Sequence, residues 1–304
     1  MGAGFRHEAL IYSDPDQFLA ASVPFIATGL AAGEPALVAV SERNAELLRG
    51  ELGADPEGVE FVAMEELGRN PARIIPLWRD FLDGQAGRPV RGIGEPIWPG
   101  RDAAEIDECQ RHESLLDFAF SGSPGWSLLC PYDAAALPDE VLAAISRSHK
   151  SVNRDGAREA SGEYLSASDC FAGALPDRPL ETEAFAYDRT RLSAVRRRVK
   201  RVAEAAGIAP QGTADLVVAA SELAANSVAH GGGAGTLRTW REREHLLLEF
   251  EDRGTIDEPL AGRLRPTPTQ EGGRGLWLAN QLCDLVQIRS SAFGTTVRLQ
   301  ATPA

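Results

Sequence analysis

Short apolar runs alternate with longer amphipathic stretches through the first half of the chain. Five of the runs predict strands, at residues 9–12, 36–40, 59–63, 90–94 and 126–130. Between them, apolar positions fall at helical spacing and predict helices over residues 18–30, 41–52, 72–82, 104–120 and 138–149. Because strands that alternate with helices are typical of parallel sheets, we expect an α/β fold with an open, doubly wound, mostly parallel sheet.

The pattern changes after residue 152. Residues 153–185 are rich in Gly, Ser, Glu, Asp and Pro and predict a linker between a first domain (1–152) and a second (186–304). In the second domain we expect helices over 192–206, from Thr213 or Asp215 to 231, and over 276–282. Strands are expected at 235–240, 245–251, 285–290 and 295–300. This order predicts an α/β sandwich, with helices on one face of a mixed sheet.

Three polar residues recur at four-residue spacing within one predicted helix of the second domain. Glu222, Asn226 and His230 therefore share roughly one helix face. An Asn oxygen suits Mg²⁺ between phosphates, and a nearby Glu can accept the proton of an attacking hydroxyl. Taken alone, such spacing is more typical of a solvated surface.

Two further groups in the second domain carry candidate chemistry. Asp252 and Gly254 follow a predicted strand, where the carboxylate can accept a hydrogen bond from an adenine amino group; an ordinary Asp-x-Gly turn is the alternative. The other group begins the last predicted helix, where backbone N–H groups and the helix dipole favour phosphate. It consists of Gly273, Arg274, Gly275 and Leu276.

In order and spacing, these groups resemble the GHKL (HATPase_c) ATPase family. Glu222 and Asn226 match its N box, Asp252 and Gly254 its G1 box, and the Gly273 and Gly275 pair its G2 box. The turn at residues 294–296 matches the Gly-Thr turn whose threonine, here Thr295, helps to bind adenine in that family. The segment looks most like the RsbW/SpoIIAB type of anti-sigma factor and serine kinase. Its G1 box departs from the frequent family pattern, because Thr255 and Ile256 follow where a second glycine is common, and its lid at 257–270 is short and proline-rich.

The resemblance implies ATP and Mg²⁺ as cofactors. It makes Glu222 the catalytic base, and Asn226 the residue that holds Mg²⁺. The phosphoryl group would pass to a serine of an anti-anti-sigma (STAS-type) protein, with a sigma factor as the sequestered client, and a homodimer is compatible with the resemblance. The nucleotide-binding residues that it implies are Asn226, His230, Asp252, Gly254, Gly273, Arg274, Gly275, Leu276 and Thr295.

The first domain lacks a P-loop motif. It instead resembles the MEDS (DcmR-like) sensory domain, a RecA-like relative without the phosphate loop, in the segments 7–12, 29–34, 91–98, 112–113, 130–133 and 148–149. The resemblance implies a sensory ligand, and open α/β sheets bind ligands at strand ends. The candidate ligand-binding residues are His7, Arg91, Glu95, Trp98, Tyr132 and His149.

Two alternatives accompany that sensory site. We expect His7, Glu95, Tyr132 and His149 to face one crevice. In the structural alternative, Arg91 and Glu95 form an ion pair and Trp98 fills the core. A metal site made of three histidines, His7, His112 and His149, is a further hypothesis.

Composition narrows the function classes. The formal charge of −13 argues against nucleic acid as a direct partner. The four cysteines form no C-x-x-C pair, which disfavours structural zinc and a redox couple. No apolar run approaches the ~18 residues of a membrane span, and no secretory signal is evident, so we expect a cytoplasmic protein without a membrane anchor.

Three function classes follow. The leading hypothesis is a regulatory kinase under the control of a sensory domain. The second is a non-catalytic module in which ATP only shapes a partner surface. A sensor histidine kinase is the third, disfavoured because residues 187–206 contain no histidine to accept phosphate.

Overall fold

The computed structural model describes residues 4–123, 125–154, 156–165, 175–267 and 273–303. The chain divides into two compact units, an N-terminal unit (Met1–Cys170) and a C-terminal unit (Phe171–Ala304). Within the described ranges, no helix is both long enough and apolar enough to cross a membrane.

The described part of the N-terminal unit contains one seven-stranded sheet, with the strand order β3-β2-β4-β5-β1-β6-β7. Its neighbouring strands are parallel except for the β6–β7 hairpin, so the predicted mostly parallel sheet is confirmed. The strands are β1 (Arg6–Tyr12), β2 (Ala36–Val40), β3 (Val59–Ala63), β4 (Val90–Gly94), β5 (Trp126–Asp133), β6 (Ser151–Arg154) and β7 (Ala157–Ala160).

The last two strands of this sheet extend into the segment predicted as a linker. Residues 153 and 154 belong to β6, and β7 follows at Ala157–Ala160. The hairpin uses a positive φ of 77° at Gly156, which glycine adopts without strain. Polar composition hid these strands, because an exposed edge hairpin needs few apolar side chains.

Helices cover both faces of this sheet, as expected for a doubly wound fold. They are α1 (Pro15–Ala31), α2 (Glu42–Leu52), α3 (Met64–Leu67), α4 (Ile74–Gly84), α5 (Ala103–Phe120) and α6 (Asp139–Ser148). Asp14 caps α1 by accepting a hydrogen bond from Gln17 N at 2.9 Å, and Asp102 forms a capping box with Glu105 on α5.

The two faces of the sheet have different cores because side chains alternate along a strand. On one face Leu10 and Tyr12 of β1 pack with Phe18 of α1 and Leu48 of α2. On the other, Trp126 of β5 packs against three aromatic rings of the chain segments nearby: Phe5, Trp78 and Phe120. This alternation determines which polar side chains can meet, because only those on the same face of the sheet are neighbours.

The described part of the C-terminal unit contains a five-stranded sheet, ordered β11-β12-β10-β9-β8. The predicted α/β sandwich is confirmed, but the sheet is antiparallel in all four described pairings rather than mixed. The strands are β8 (Ala184–Asp188), β9 (Ala234–Glu242), β10 (His245–Asp252), β11 (Leu285–Ser291) and β12 (Gly294–Ala301), and the helices are α7 (Leu192–Ala206), α8 (Pro210–His230) and α9 (Arg274–Leu282).

The end of α7 agrees with the sequence prediction, and the start of α8 does not. Gly207 ends α7 in the left-handed conformation, at φ 84°, as predicted. The predicted start of α8 at Thr213 or Asp215 is wrong. The helix begins at Pro210, because the fixed φ of proline suits the first helical position and its missing N–H has no helical partner there.

One face of the C-terminal sheet packs on the helices and the other carries charges. Along β10, Leu248 and Phe250 enter the core, whereas Glu249 and Glu251 point to the opposite face. There Arg178 donates to Glu249 Oε1 at 2.9 Å and to Glu251 Oε1 at 2.8 Å. Arg298 also pairs with Glu249 at 2.6 Å. These ion pairs therefore hold the segment around residue 178 against the outer face of the sheet.

Candidate functional site

Helices α8 and α9 meet at the predicted N and G2 boxes. A Cβ atom placed on Gly275 would lie 2.8 Å from Asn226 Nδ2, 3.2 Å from Glu222 Cβ and 3.3 Å from Glu222 Oε2. Gly275 is itself buried in the first turn of α9, and Gly273 caps that helix in the left-handed conformation, at φ 79°. The structure thus places the carboxylate and amide of α8 directly against the N-terminus of α9.

This contact makes a testable prediction for Gly275→Ala. The added methyl group overpacks the α8–α9 contact, which typically costs about 1–3 kcal/mol, and it displaces the side chains of Glu222 and Asn226. We expect a lower melting temperature of the C-terminal unit and weaker nucleotide affinity, measured by scanning and titration calorimetry. Gly212→Ala on α8 is the control, because its Cβ meets only Ile208 Cγ2, at 3.0 Å. Equal affinities in both variants would contradict the predicted role.

The predicted G1 box lies at the end of β10, facing the C-terminal end of α8. Asp252 Oδ1 accepts a hydrogen bond from Gly254 N at 2.8 Å, which forms a tight turn. A Cβ on Gly254 would lie 2.6 Å from the carbonyl oxygen of His230, so only glycine fits this approach of the two backbones. The Asp-x-Gly turn is therefore real, and it also presents the Asp252 carboxylate beside α8.

Thr295 connects this loop to the last hairpin. Its hydroxyl donates to Gly254 O at 2.8 Å, and its oxygen lies 2.9 Å from Ser290 Oγ. Because the single hydroxyl proton of Thr295 is committed to Gly254, Ser290 donates to Thr295. Ser290 Oγ in turn accepts from Ile256 N at 2.7 Å. The loop after β10 is thus held to β11 and β12 by a chain of side-chain hydrogen bonds.

These elements enclose a cavity of about 340 Å³, a size within the ~300–1,000 Å³ of small-molecule sites. Its lining includes apolar side chains of the core, such as Leu223 and Phe250, and the polar edge of the loop after β10. Seven of the predicted nucleotide-binding residues line it: Asn226, His230, Asp252, Gly254, Gly273, Leu276 and Thr295.

The remaining predicted residues adjoin the cavity without lining it. Glu222 lies one helical turn before Asn226, and Gly275 contacts both. Arg274 is exposed on the first turn of α9. Part of the predicted lid, at residues 268–270, lies outside the described residues, and so does Gly272 of the glycine-rich run.

A buried tyrosine beside the cavity was missed by sequence reasoning. Tyr187 of β8 donates to Ser227 Oγ at 3.0 Å, and Ser227 is the neighbour of Asn226 on α8. Burial, reinforced by the nearby Asp252 carboxylate, raises the pKa of Tyr187 to about 12. The hydroxyl therefore stays protonated and fixes α8 against β8. The polar segment before β8 hid this strand, although Tyr187 itself is only 2% exposed.

In the N-terminal unit, three of the predicted sensory residues come together. The rings of His7 and His149 lie with centroids 4.1 Å apart, and Tyr132 packs edge-on against His149 at 5.7 Å. Glu113 lies between the histidines, with its Oε2 atom 2.9 Å from His7 Nε2 and 3.0 Å from His149 Nε2. Cys130 Sγ lies 3.3 Å from His7 Nε2.

The charges in this buried cluster shift one another. Burial alone would raise the pKa of Glu113, but its close contacts with His149 and His7 outweigh burial and hold that pKa well below its usual range. Burial raises the pKa of Cys130 and of Tyr132, and the Glu113 charge adds to both increases. The cluster thus contains one buried carboxylate beside a thiol and a phenol that burial keeps protonated.

Glu95 does not share this crevice, which corrects the expectation. It lies beyond β4 on the face covered by α1 and α2, where its Oε2 accepts from Ser41 N at 2.8 Å and its Oε1 from Asn44 Nδ2 at 3.0 Å. Asn44 also donates to Tyr12, whose side chain leaves β1 on the opposite face from His7. Burial raises the pKa of Glu95.

The contacts of Arg91 and Trp98 described below likewise involve neither His7 nor His149. Arg91 donates to Glu34 Oε2 at 2.7 Å and to Phe25 O at 2.7 Å, which ties β4 to the end of α1. The suggested Arg91–Glu95 ion pair is therefore wrong, since Glu34 is the partner. Trp98 is half-buried beneath the guanidinium of Arg101, 3.7 Å from the ring centroid.

Comparisons with known proteins agree with this two-part structure. Residues 6–150 match the family described as the MEDS, methanogen/methylotroph, DcmR sensory domain. Residues 185–301 match the histidine kinase-like ATPase domain. No curated protein matches the chain. Among solved structures, the RsbU and RsbW domains of a Mycobacterium tuberculosis protein match with 21% identity and a TM-score of 0.30, over 40% of this chain and 32% of that one.

Proposed function

We propose that the chain, which matches a MEDS sensory domain and a histidine kinase-like ATPase domain in its two units, is a cytoplasmic anti-sigma factor with serine kinase activity. In this proposal ATP binds with Mg²⁺ in the cavity of the C-terminal unit. The substrate is a serine of a STAS-type anti-anti-sigma protein, and a sigma factor is the client. The N-terminal unit adjusts the activity in response to a small ligand.

One observation carries the kinase proposal: Glu222 and Asn226 lie against the N-terminus of α9, at the end of a cavity whose other wall holds Asp252. The cavity fits a nucleotide chemically. The free lone pairs of the Asp252 carboxylate can accept the adenine amino group, and the apolar wall can contact the ring. The N–H groups of the first turn of α9 suit phosphate oxygens.

The residues of this chain have separate roles in the proposed reaction. When bound, Mg²⁺-ATP supplies the γ-phosphoryl group. Asn226 supplies an oxygen ligand to the ion, and Glu222 accepts the proton of the partner's serine hydroxyl as it attacks. Asp252 and Thr295 hold the base end, so the phosphate end lies toward α9.

The experiment is phosphoryl transfer from radiolabelled ATP. The full chain, with Mg²⁺, is incubated with each STAS-domain protein of the native organism, and we expect label on one serine of one partner. Two controls are a partner in which that serine is replaced by alanine, and the Asp252→Asn chain, which should lose ATP binding. A sigma factor should co-purify with the chain, and ATP should change the amount.

The non-catalytic alternative makes a different prediction. If ATP binds and changes partner affinity but no label is transferred, the chain is a nucleotide-dependent switch and the kinase proposal is wrong. If calorimetry detects no adenine nucleotide binding at all, both proposals are wrong. The departure of Thr255 and Ile256 from the G1 pattern is the sequence feature that favours this alternative.

A further inference from the structure

The buried cluster of the N-terminal unit contains four side chains of the types that bind metal ions. His7, Glu113, Cys130 and His149 each offer one ligand atom, and these atoms all lie within 4.8 Å of one another. They come from four different parts of the fold: β1, α5, β5 and the residue that ends α6. All four residues are at least 96% buried, since His7, the most exposed, is 4% exposed.

The hydrogen bonds around His149 orient its lone pair toward the cluster. His149 Nδ1 lies 3.1 Å from the carbonyl oxygen of Ile145. A carbonyl only accepts, so Nδ1 carries the proton and Nε2 of the neutral ring keeps its lone pair. That Nε2 atom faces Glu113 Oε2 at 3.0 Å. A backbone carbonyl that fixes the far nitrogen is the usual outer-shell arrangement of a metal-binding histidine.

Several polar atoms of the cluster lack partners. Within the described part of the chain, His149 Nε2, His7 Nδ1 and Glu113 Oε1 are buried and make no hydrogen bond. An unsatisfied buried polar atom typically costs about 1–3 kcal/mol, so three of them in one cluster require an explanation. The lone pairs of His149 Nε2 and Glu113 Oε2 face each other and repel. A cation between them removes this repulsion.

We propose that His7, Glu113, Cys130 and His149 bind one divalent metal ion of the Zn²⁺ class. Two imidazoles, one carboxylate and one thiolate form the mixed N/O/S set that zinc accepts in tetrahedral sites. The carboxylate and thiolate together balance the two positive charges of the ion. Binding requires the Cys130 thiol to release its proton to solvent, so one proton leaves for each ion that binds.

The three short distances in the cluster must open slightly to admit a small tetrahedral ion. Zinc bonds of the usual lengths separate ligand atoms by about 3.3–3.6 Å. The nitrogen–oxygen distances of 2.9 and 3.0 Å must therefore open by about 0.4 Å, and the nitrogen–sulfur distance of 3.3 Å by less. With four protein ligands, the site is closed and would cross-link β1, α5, β5 and the end of α6.

The test uses the full chain, stripped of metal by a chelator. Zinc is titrated in a metal buffer with excess Mg²⁺ and no nucleotide, so that a site for a hard ion is already occupied. We expect one equivalent of zinc to bind and the melting temperature of the N-terminal unit to rise. Cobalt substitution should give the visible bands of a tetrahedral ion and a sulfur-to-cobalt charge-transfer band in the near ultraviolet.

Matched cysteine and histidine variants assign the ligands. Cys130→Ser should abolish the charge-transfer band and weaken zinc binding by more than the roughly 10–100-fold caused by loss of an outer-shell partner. Cys109→Ser is the control, because Cys109 is a buried thiol of α5 whose Sγ donates to Pro96 O at 3.2 Å. His112→Gln, adjacent to Glu113 in sequence, should also retain the metal, whereas His149→Gln should lose it.

The cobalt spectrum of the unmodified chain decides the question even if the variants fail to fold. Absence of a charge-transfer band, or zinc binding that is unchanged in both Cys130→Ser and His149→Gln, overturns the proposal. Loss of zinc in His112→Gln, with retention in Cys130→Ser, overturns it in favour of the three-histidine site. None of these results depends on nucleotide binding or kinase activity.

Discussion

Glu222→Gln is expected to abolish most phosphoryl transfer to the partner while ATP remains bound. Glutamine keeps the shape that packs against Gly275, but it cannot accept the proton of the attacking hydroxyl. A positioned general base typically contributes about 10²–10⁴-fold to a rate, so we expect a loss of that size in single-turnover transfer. Titration calorimetry on the same preparation should give an ATP affinity close to that of the unmodified chain.

Glu244→Gln is the matched control for this prediction. Glu244 is an exposed carboxylate in the turn between β9 and β10, far along the strand from the cavity residue Asp252. The substitution removes the same charge from the same unit and should leave transfer unchanged. Equal transfer by Glu222→Gln and Glu244→Gln would mean that Glu222 is not the base. Loss of ATP binding in Glu222→Gln would instead assign the carboxylate a structural role.

Gly294→Ala is expected to destabilise the C-terminal unit strongly. Gly294 adopts φ 137°, and a Cβ placed on it would lie only 2.2 Å from the backbone oxygen of Asp252. Because the obstructing atom belongs to the backbone of β10, the hairpin must move as a whole. We expect a loss of about 3 kcal/mol in the free energy of unfolding, measured by urea titration of the transition that ATP shifts.

Gly207→Ala separates backbone strain from the steric clash. Gly207 also has a positive φ, 84°, but nothing lies within 4 Å of its Cβ position. Its substitution should cost only the left-handed conformation, about 1–2 kcal/mol. If both variants lose the same stability, the close contact between Gly294 and Asp252 makes no contribution. Gly294→Ala should also weaken nucleotide binding, since Thr295 follows directly.

The C-terminal unit was largely predictable because its candidate site is local in sequence. Glu222 and Asn226 lie on one helix, and Asp252 and Gly254 in one turn, so the sequence itself places the members of each pair together. The resemblance to the GHKL family then combines the pairs into one site. The predicted mixed sheet was wrong because strand direction depends on how the connections cross, which hydrophobic periodicity does not report. Strand β8 was missed because it is a short edge strand after a polar, proline-containing segment.

The N-terminal unit shows the opposite case. Strands β1 to β5 were predictable, and Val59–Ala63 and Val90–Gly94 have the predicted bounds. Which side chains share a crevice was not predictable, because that depends on the register between strands that are distant in sequence. His7 pairs with Leu128 across β1 and β5, and this register sets Cys130 beside it, whereas Glu95 leaves on the other face. Cys130 and Glu113 therefore could not be assigned to the histidine pair from spacing.

The hydrogen bonds from Thr295 to Gly254 and from Ile256 to Ser290 also affect how quickly a ligand can enter. With its polar groups already paired inside the protein, the end of the cavity proposed to bind the base needs no folding step before association. The entropy of ordering this loop is lost when the chain folds, not when the nucleotide arrives. Encounter with adenosine alone should accordingly be single-phase, with a rate proportional to concentration over the whole accessible range.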